Sequence, residues 1–103
     1  MKYFSSLLIV LLASVGLSNL NAQNKVTLSG YVKDSANGEA LGSSSISVEG
    51  NTISTQTNMY GFYSLSLSPG SYTILISNFG FKTEKFELEI LNNITKNIDL
   101  SRT

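Results

Sequence analysis

The stretch TNMYGFYSLSLSPGSYTI, Thr57 to Ile74, decides the fold of this 103-residue chain. The side chain of Asn58 can accept a hydrogen bond from the backbone two residues further on, which favours a tight turn. Gly61 is expected to adopt a positive φ that its aromatic neighbours would reach only with strain. From Phe62 to Leu67, apolar and polar residues then alternate with the period of a strand. The stretch therefore predicts a chain reversal followed by a strand.

A second reversal is predicted at Pro69-Gly70. Proline presets φ for the first central position of a turn, and Gly70 is expected to supply a left-handed position. Tyr72, Ile74 and Ile76 then resume the inward side of the alternation. The stretch thus contains consecutive strands joined by tight turns, and its aromatic residues are expected to pack at the edge and in the core.

The rest of the chain repeats this pattern. Val26 to Lys33 and Lys85 to Ile90 alternate with a period of two. Asn37-Gly38 indicates a turn, and the Asn78–Phe81 segment around Gly80 indicates a turn or a bulge. About seven short strands at turn spacings of about 8–12 residues predict an all-β, seven-stranded antiparallel Greek-key β-sandwich. The predicted core consists of Val26, Leu28, Val32, Ile46, Val48, Leu65, Leu67, Tyr72, Ile74, Ile76, Phe86, Leu88, Ile90, Ile98 and Leu100.

The N-terminal residues have the composition of a signal peptide. Lys2 supplies the positive end, and Leu7 to Leu17 forms an apolar stretch that is too short to span a membrane as a helix, which needs roughly 20 residues. We expect residues 1–22 to form a signal-peptide helix that is cleaved after Ala22, and residues 23–103 to form a single domain. The absence of cysteine excludes disulfides, thiolate metal sites and a lipoprotein anchor, and fits a bacterial envelope.

The residue content also limits the possible chemistry. The chain has no histidine, which excludes a Ser-His-Asp triad and a histidine-based zinc site. Asp34, Asn37 and Glu39 do not have the spacing of a calcium-binding EF-hand loop, so Asp34 is expected to cap backbone amides instead. Acidic and basic residues are balanced and no basic run occurs, which argues against nucleic-acid binding. We therefore predict no enzyme activity, no cofactor and no metal.

Four aromatic residues are candidates for a recognition surface, namely Tyr31, Tyr60, Phe79 and Phe81. Aromatic side chains bury large areas and usually serve packing, so core or edge packing is the first interpretation. The second is an exposed platform for a sugar or a protein partner. The sequence leaves both open.

Several short motifs occur in an order that is similar to a known module. Thr57–Tyr63 resembles a T-D-x-x-G-x-[FY] motif, with Asn58 in place of the aspartate. The other matching segments are Gly30–Asp34 (G-x-V-x-D), Asn37–Leu41, Ser45–Gly50 (A-x-V-x-x-x-G), Ser68–Tyr72 (P-x-G-x-Y) and Asn78–Phe81 (x-x-G-[FY]). Together they resemble the carboxypeptidase-regulatory-like domain over roughly Val26 to Ser101. Gly42 stands where that family often has proline.

This resemblance implies a transthyretin-like sandwich. In exported Bacteroidetes proteins, such domains often follow the signal peptide of TonB-dependent outer-membrane receptors. The chain is therefore expected to be a non-catalytic envelope module, a receptor fragment or a stand-alone copy, in the periplasm or at the periplasmic face of the outer membrane. Its partner would be a receptor plug or barrel or a TonB-system component. The alternative is a free-standing periplasmic or secreted sandwich that binds carbohydrate or assists a neighbouring enzyme.

Overall fold

The strands form where apolar and polar residues alternate in the sequence. The computed structural model describes residues 24–103, and the predicted signal peptide lies outside this range. Within it there are eight strands: β1 (Val26–Asp34), β2 (Ser45–Val48), β3 (Ser54–Gln56), β4 (Phe62–Leu67), β5 (Gly70–Ser77), β6 (Glu84–Ile90), β7 (Ile94–Thr95) and β8 (Ile98–Leu100). No helix long and apolar enough to cross a membrane is found among these described residues.

The strands form two sheets that enclose the core between them. In the first sheet, β1 lies in the centre. It pairs antiparallel with β4 on one side, and parallel with β7 and β8 on the other. The second sheet has the order β3-β2-β5-β6, and all its pairs are antiparallel. The predicted all-β sandwich is confirmed.

The strand count and the orientation of the last strand differ from the prediction. The final strand is divided into β7 and β8, which both run parallel to β1. The break falls at Lys96 and Asn97. There the Asn97 side-chain oxygen, rather than a backbone carbonyl, accepts the hydrogen bond of the Tyr31 N–H at 2.9 Å. The strand ladder is therefore interrupted where a side chain replaces the backbone.

Most of the residues that the alternation predicts as core are buried between the two sheets. Tyr72, Phe86 and Leu88, predicted as core, are only partly buried and pack against it. Phe86 and Leu88 belong to β6, which lies at the edge of the second sheet, and the Lys96 ammonium covers the Phe86 ring at 4.7 Å. The buried apolar residues are Val26, Leu28, Val32, Ile46, Val48, Tyr63, Leu65, Leu67, Ile74, Ile76, Ile90, Ile98 and Leu100.

Tyr63 is fully buried, although the predicted core did not include it. Its hydroxyl donates a hydrogen bond to the Lys96 carbonyl at 2.6 Å, and burial raises the pKa of the phenol to about 12. The same carbonyl lies directly over Gly30, where there is no room for a side chain. This contact fixes the connection between β7 and β8 against β1.

The predicted turn at Asn58–Gly61 is confirmed in detail. Asn58 Oδ1 accepts hydrogen bonds from the N–H of Tyr60 at 2.9 Å and of Phe62 at 3.1 Å. Gly61 has a φ of 77°, and a β-carbon there would lie 2.6 Å from the Val32 carbonyl oxygen. Both the conformation and the close approach of β1 therefore require glycine.

The predicted left-handed conformation of Gly70 is wrong. Gly70 is not among the residues with positive φ, and it is the first residue of β5, paired with Ile90. The reversal after β4 is completed by Ser68 and Pro69, and the Tyr72 hydroxyl donates to the Ser68 carbonyl at 2.5 Å. The Tyr72 ring lies beside Gly70, 3.6 Å from where a β-carbon would be. That distance is an ordinary van der Waals contact, so neither the backbone conformation nor the Tyr72 ring requires glycine at this position.

Candidate interaction surface

The buried polar side chains are used inside the domain. Thr57 Oγ1 donates to the Leu41 carbonyl at 2.6 Å and accepts the Ser44 N–H at 2.8 Å. The Asn78 amide nitrogen donates to Ser44 Oγ at 2.8 Å and to the Gly42 carbonyl at 3.2 Å. Within residues 24–103, no buried side-chain nitrogen or oxygen lacks a hydrogen-bond partner. These groups hold loops together, and none of them is directed at an unfilled site.

Asp34 is the one buried carboxylate among the described residues. As predicted, it caps a turn: its Oδ1 accepts the Ala36 N–H at 2.9 Å. Its Oδ2 accepts a hydrogen bond from Arg102 Nε at 3.0 Å and lies 2.9 Å from Arg102 Nη2 in a salt bridge. The Ala36 hydrogen bond lowers the pKa of Asp34 most, burial acts in the opposite direction, and Arg102 lowers the pKa further.

The rejected calcium loop is a turn in the structure. Asn37 Oδ1 accepts the Glu39 N–H at 3.0 Å, and the Gly38 N–H donates to the Asp34 carbonyl at 2.8 Å. In the part of the chain that the structure describes, no group of three or more His, Cys, Asp or Glu side chains could hold a metal ion. The arrangement of this loop is therefore explained by its own hydrogen bonds.

Asp34 gives the domain a defined acid sensitivity. Because its pKa is lower in the folded chain than in the unfolded one, protons bind first to the unfolded chain as the pH falls. The stabilisation is thus complete above the unfolded pKa, near 3.8, and is lost as the pH falls through the folded value. Urea denaturation of the wild type and Asp34→Asn over a pH series should show a difference in unfolding free energy that shrinks in acid. A difference that is constant with pH would contradict this role.

Three apolar side chains are exposed at the tips of two tight turns, and we call them the apolar turn tips: Met59, Tyr60 and Phe79. They are 79%, 67% and 101% exposed. The Gly61 N–H donates to the Asn58 carbonyl at 2.9 Å, and the Phe81 N–H to the Asn78 carbonyl at 3.1 Å, so Met59 and Phe79 each follow the first residue of a turn. Such positions usually carry polar residues, glycine or proline. The exposure of large apolar side chains here is therefore unusual.

Both turns lie at the same end of the sandwich because they contact the same segment. Gly42 lies against the first turn, where its β-carbon would be 3.1 Å from the Asn58 carbonyl oxygen and 3.4 Å from the Met59 Cα. The second turn is attached to Gly42 and Ser44 through the Asn78 side chain. The apolar turn tips therefore project from one end of the domain.

The predicted recognition residues lie in three different settings. Tyr60 and Phe79 belong to the apolar turn tips. Tyr31 lies on the outer face of the first sheet, 45% exposed, and its ring packs on that of Phe62 with centroids 5.3 Å apart. Phe81 is partly buried against the core, and the Arg102 guanidinium covers its ring at 5.5 Å. The four residues therefore do not form one continuous platform.

Met59 was not among the predicted surface residues. The candidates for that surface were all aromatic, and methionine is among the residue types that are most often buried. The available signal was its position between Asn58 and Gly61, since the central residues of a tight turn point away from the strands. A predicted tight turn thus also predicts that the side chains of its central residues are exposed.

A shallow depression of about 300 Å³ lies elsewhere, over the pairs Ser71–Glu89 and Thr73–Glu87 of β5 and β6. Tyr72 lines it but is partly buried, and its hydroxyl is hydrogen-bonded to Ser68. This region is close to the turn between β4 and β5, whereas Phe79 follows the opposite end of β5. The exposed aromatic residues and the depression therefore do not combine into a sugar-binding cleft.

The fold and its hydrogen bonds define an all-β sandwich domain whose motif residues serve structure. The chain belongs to the family of CarboxypepD_reg-like domains, whose model matches residues 28–103. The match includes β1 from Leu28 and all later strands. The predicted family is thus confirmed. No curated protein sequence matches the chain.

Solved structures with the same fold come from several bacterial proteins. A chain of a type II cohesin-X-dockerin complex from Acetivibrio cellulolyticus superposes with a TM-score of 0.64 at 18% identity, over 75% of this chain and 58% of that one. The Bacillus anthracis TIE protein gives 0.64 at 22% identity, over 77% and 17%. A DUF3823 family protein from Bacteroides ovatus gives 0.59 at 22%, over 77% and 45%. At these identities the likeness shows the fold, and the chain spans less than two thirds of each.

Proposed function

We propose that this chain is a non-catalytic protein-binding module of the bacterial envelope. It acts in the periplasm or at the periplasmic face of the outer membrane, as the N-terminal domain of a TonB-dependent receptor or a separate copy of such a domain. The family membership and the signal-peptide-like residues 1–22 support this location. Its partner is a receptor plug or barrel or a TonB-system component.

The observation that carries the proposal is the exposure of the apolar turn tips. Large exposed apolar groups that gather on one part of a surface mark interaction sites. Aromatic residues are also enriched among those that dominate protein–protein binding energy. Met59, Tyr60 and Phe79 are exposed on two turns that are each fixed by hydrogen bonds, so little conformational freedom would be lost on binding.

The alternative functions have less support. Carbohydrate binding would need an exposed aromatic face beside a polar cleft, and these two features lie apart in this domain. Catalysis by a histidine or cysteine side chain is excluded because the chain has neither residue, and the buried carboxylate of the described residues is already paired with Arg102. Protein binding needs only the exposed surface that is present.

We expect Tyr60→Ala and Phe79→Ala to weaken partner binding without changing the melting temperature. Both side chains are exposed, so their removal leaves the core intact. The measurement pairs thermal unfolding with site-specific photo-crosslinking from positions 60 and 79 in the host cell. The crosslinked product should be an outer-membrane receptor or a TonB-system protein.

Leu91 supplies the matched control. It is also a large exposed apolar residue, at 56%, but it follows β6 at the opposite end of the sandwich. Leu91→Ala should leave binding unchanged, and a crosslinker at position 91 should capture no such partner. Equal capture from positions 60, 79 and 91 would refute the assigned surface. Capture of a protein unrelated to TonB-linked uptake would refute the receptor role.

A further inference from the structure

The two sheets have edge strands of very different character. At one edge of the second sheet β3 is short, and in the first sheet β7 and β8 are short and separated. The remaining edges are β4, six residues long, and β6, seven residues long. Four of the seven residues of β6 are charged, whereas β4, with the sequence FYSLSL, has no charged residue. Charges on an edge strand hinder pairing with other chains, so β4 lacks a protection that β6 has.

The free backbone groups of β4 follow from its pairing with β1. The Val32 N–H donates to the Gly61 carbonyl at 2.8 Å, and backbone direction alternates along an antiparallel pair. Tyr63, Leu65 and Leu67 therefore direct their backbone groups towards β1, and Phe62, Ser64 and Ser66 direct theirs away.

Phe62 already has partners for its outward groups. Its N–H donates to Asn58 Oδ1 at 3.1 Å, and its carbonyl accepts the Asn58 N–H at 2.9 Å. The N–H and C=O groups of Ser64 and Ser66 make no such bonds to the rest of residues 24–103. They form a short row of two donors and two acceptors at the edge of the first sheet.

The outward-facing edge of β6 carries charged residues at the positions whose backbone groups are free within residues 24–103. The Glu49 N–H donates to the Thr73 carbonyl at 2.9 Å, so Thr73 is directed towards β2, and its partner Glu87 is directed away from β5. The outward backbone groups of β6 thus belong to Lys85, Glu87 and Glu89. If two β6 strands paired around Glu87, this carboxylate would lie beside its own copy, which is unfavourable.

We propose that β4 pairs antiparallel with β4 of a second copy of this chain, about a two-fold axis at Leu65. Ser64 of each copy then exchanges both backbone hydrogen bonds with Ser66 of the other. The row is self-complementary, as a two-fold interface requires, and its small uncharged side chains bring no like charges together. Two first sheets thereby become one continuous sheet. This assembly does not depend on the proposed function.

Proline at position 66 tests the pairing without disturbing the domain. Ser66→Pro removes an N–H that points away from β1, and proline is tolerated on edge strands at such positions. Sedimentation equilibrium is run on the full chain and on residues 24–103, the part that the structure describes and that contains its two sheets and the core between them. The wild type is expected to be a dimer, and Ser66→Pro a monomer with the same melting temperature. Glu87→Pro removes an outward N–H from β6 and should remain dimeric.

Variants with added positive or negative charges on β4 test whether the strand that pairs with it belongs to a second copy of this chain. The variant with Ser64→Lys and Ser66→Lys, and the variant with Ser64→Glu and Ser66→Glu, should each be monomeric, because like charges would lie opposite one another. An equimolar mixture should form the heterodimer. A wild type that stays monomeric up to about 1 mM overturns the proposal. A dimer that persists in Ser66→Pro and in the lysine variant also overturns it.

Discussion

Gly30→Ala is expected to abolish stable folding of the domain. A β-carbon at position 30 would lie 2.6 Å from the carbonyl carbon of Lys96 and still closer to its oxygen. Carbon atoms in contact are normally about 3.5–4.0 Å apart. The obstacle is backbone rather than a flexible side chain, so no rotamer change can relieve the clash.

The Lys96 backbone cannot move away without breaking other contacts. Its N–H donates to the Ser29 carbonyl at 2.7 Å, and its carbonyl accepts the Tyr63 hydroxyl at 2.6 Å. Withdrawing it would leave the buried Tyr63 hydroxyl without a partner, which costs about 1–3 kcal/mol. It would also detach β7 and the start of β8 from β1. Total stabilities are about 5–15 kcal/mol, and a domain of this size is expected near the lower limit.

Thermal unfolding followed by circular dichroism measures the effect. The control is Tyr63→Phe, which removes the hydrogen bond but adds no atoms beside Lys96. It should lower the unfolding free energy by about 1–3 kcal/mol and leave a cooperative transition. The expected order is therefore wild type, Tyr63→Phe, Gly30→Ala. A Gly30→Ala protein as stable as Tyr63→Phe would show that the close approach at Lys96 is not a constraint.

Gly30 is also an example of a residue whose structural role could not be predicted from the sequence. The period-two alternation identified β1, β4, β5 and β6, because the direction of a side chain in a strand depends only on local geometry. The turn at Asn58–Gly61 was equally local, since its hydrogen bonds join residues within five positions. The reason for Gly30 lies 66 positions away, at Lys96, and no short-range pattern contains it.

The other differences between the predicted and the observed structure also arise from contacts between segments that are distant in the sequence. The burial of Tyr63 and the separation of β7 from β8 both depend on Lys96 and Asn97 meeting β1 and β4. At Gly70, the expected left-handed turn gave way to a strand residue because Gly70 begins β5 and pairs with Ile90 of β6. Each difference arises from a contact between segments that are brought together only by the sandwich.

The surface could be predicted by residue type but not by arrangement. Tyr60 and Phe79 were candidates because they are aromatic, but the sequence does not show that their turns contact the same segment, Gly42 to Ser44. Phe81 was a candidate for the same reason, yet Arg102 covers it from the far end of the chain. Motif residues such as Gly30, Asp34 and Thr57 are used by internal contacts. The exposed residues between them are therefore the ones free to determine what this domain binds.

Ile74→Ala is expected to lower the unfolding free energy by about 2–5 kcal/mol. Ile74 is 1% exposed and lies in β5, an inner strand of the second sheet, where it pairs with Val48 of β2 and Phe86 of β6. Because both neighbouring strands are held by their own ladders, the surrounding side chains cannot fully collapse into the space left by the lost atoms. For a small domain, this loss is a large part of the total stability.

Urea denaturation with two matched variants separates the core contribution from general effects of substitution in β5. Ile74→Val removes one methylene and should cost about 0.5–1.5 kcal/mol. Leu75→Ala removes a side chain of the same size from the opposite face of the same strand, where Leu75 is only partly buried, and should cost less than Ile74→Ala. All four proteins should share one dependence on urea concentration if the folded structure is retained. If Ile74→Ala unfolds at the same midpoint as the wild type, or if Leu75→Ala costs as much, the assignment of the core to this face of β5 is wrong.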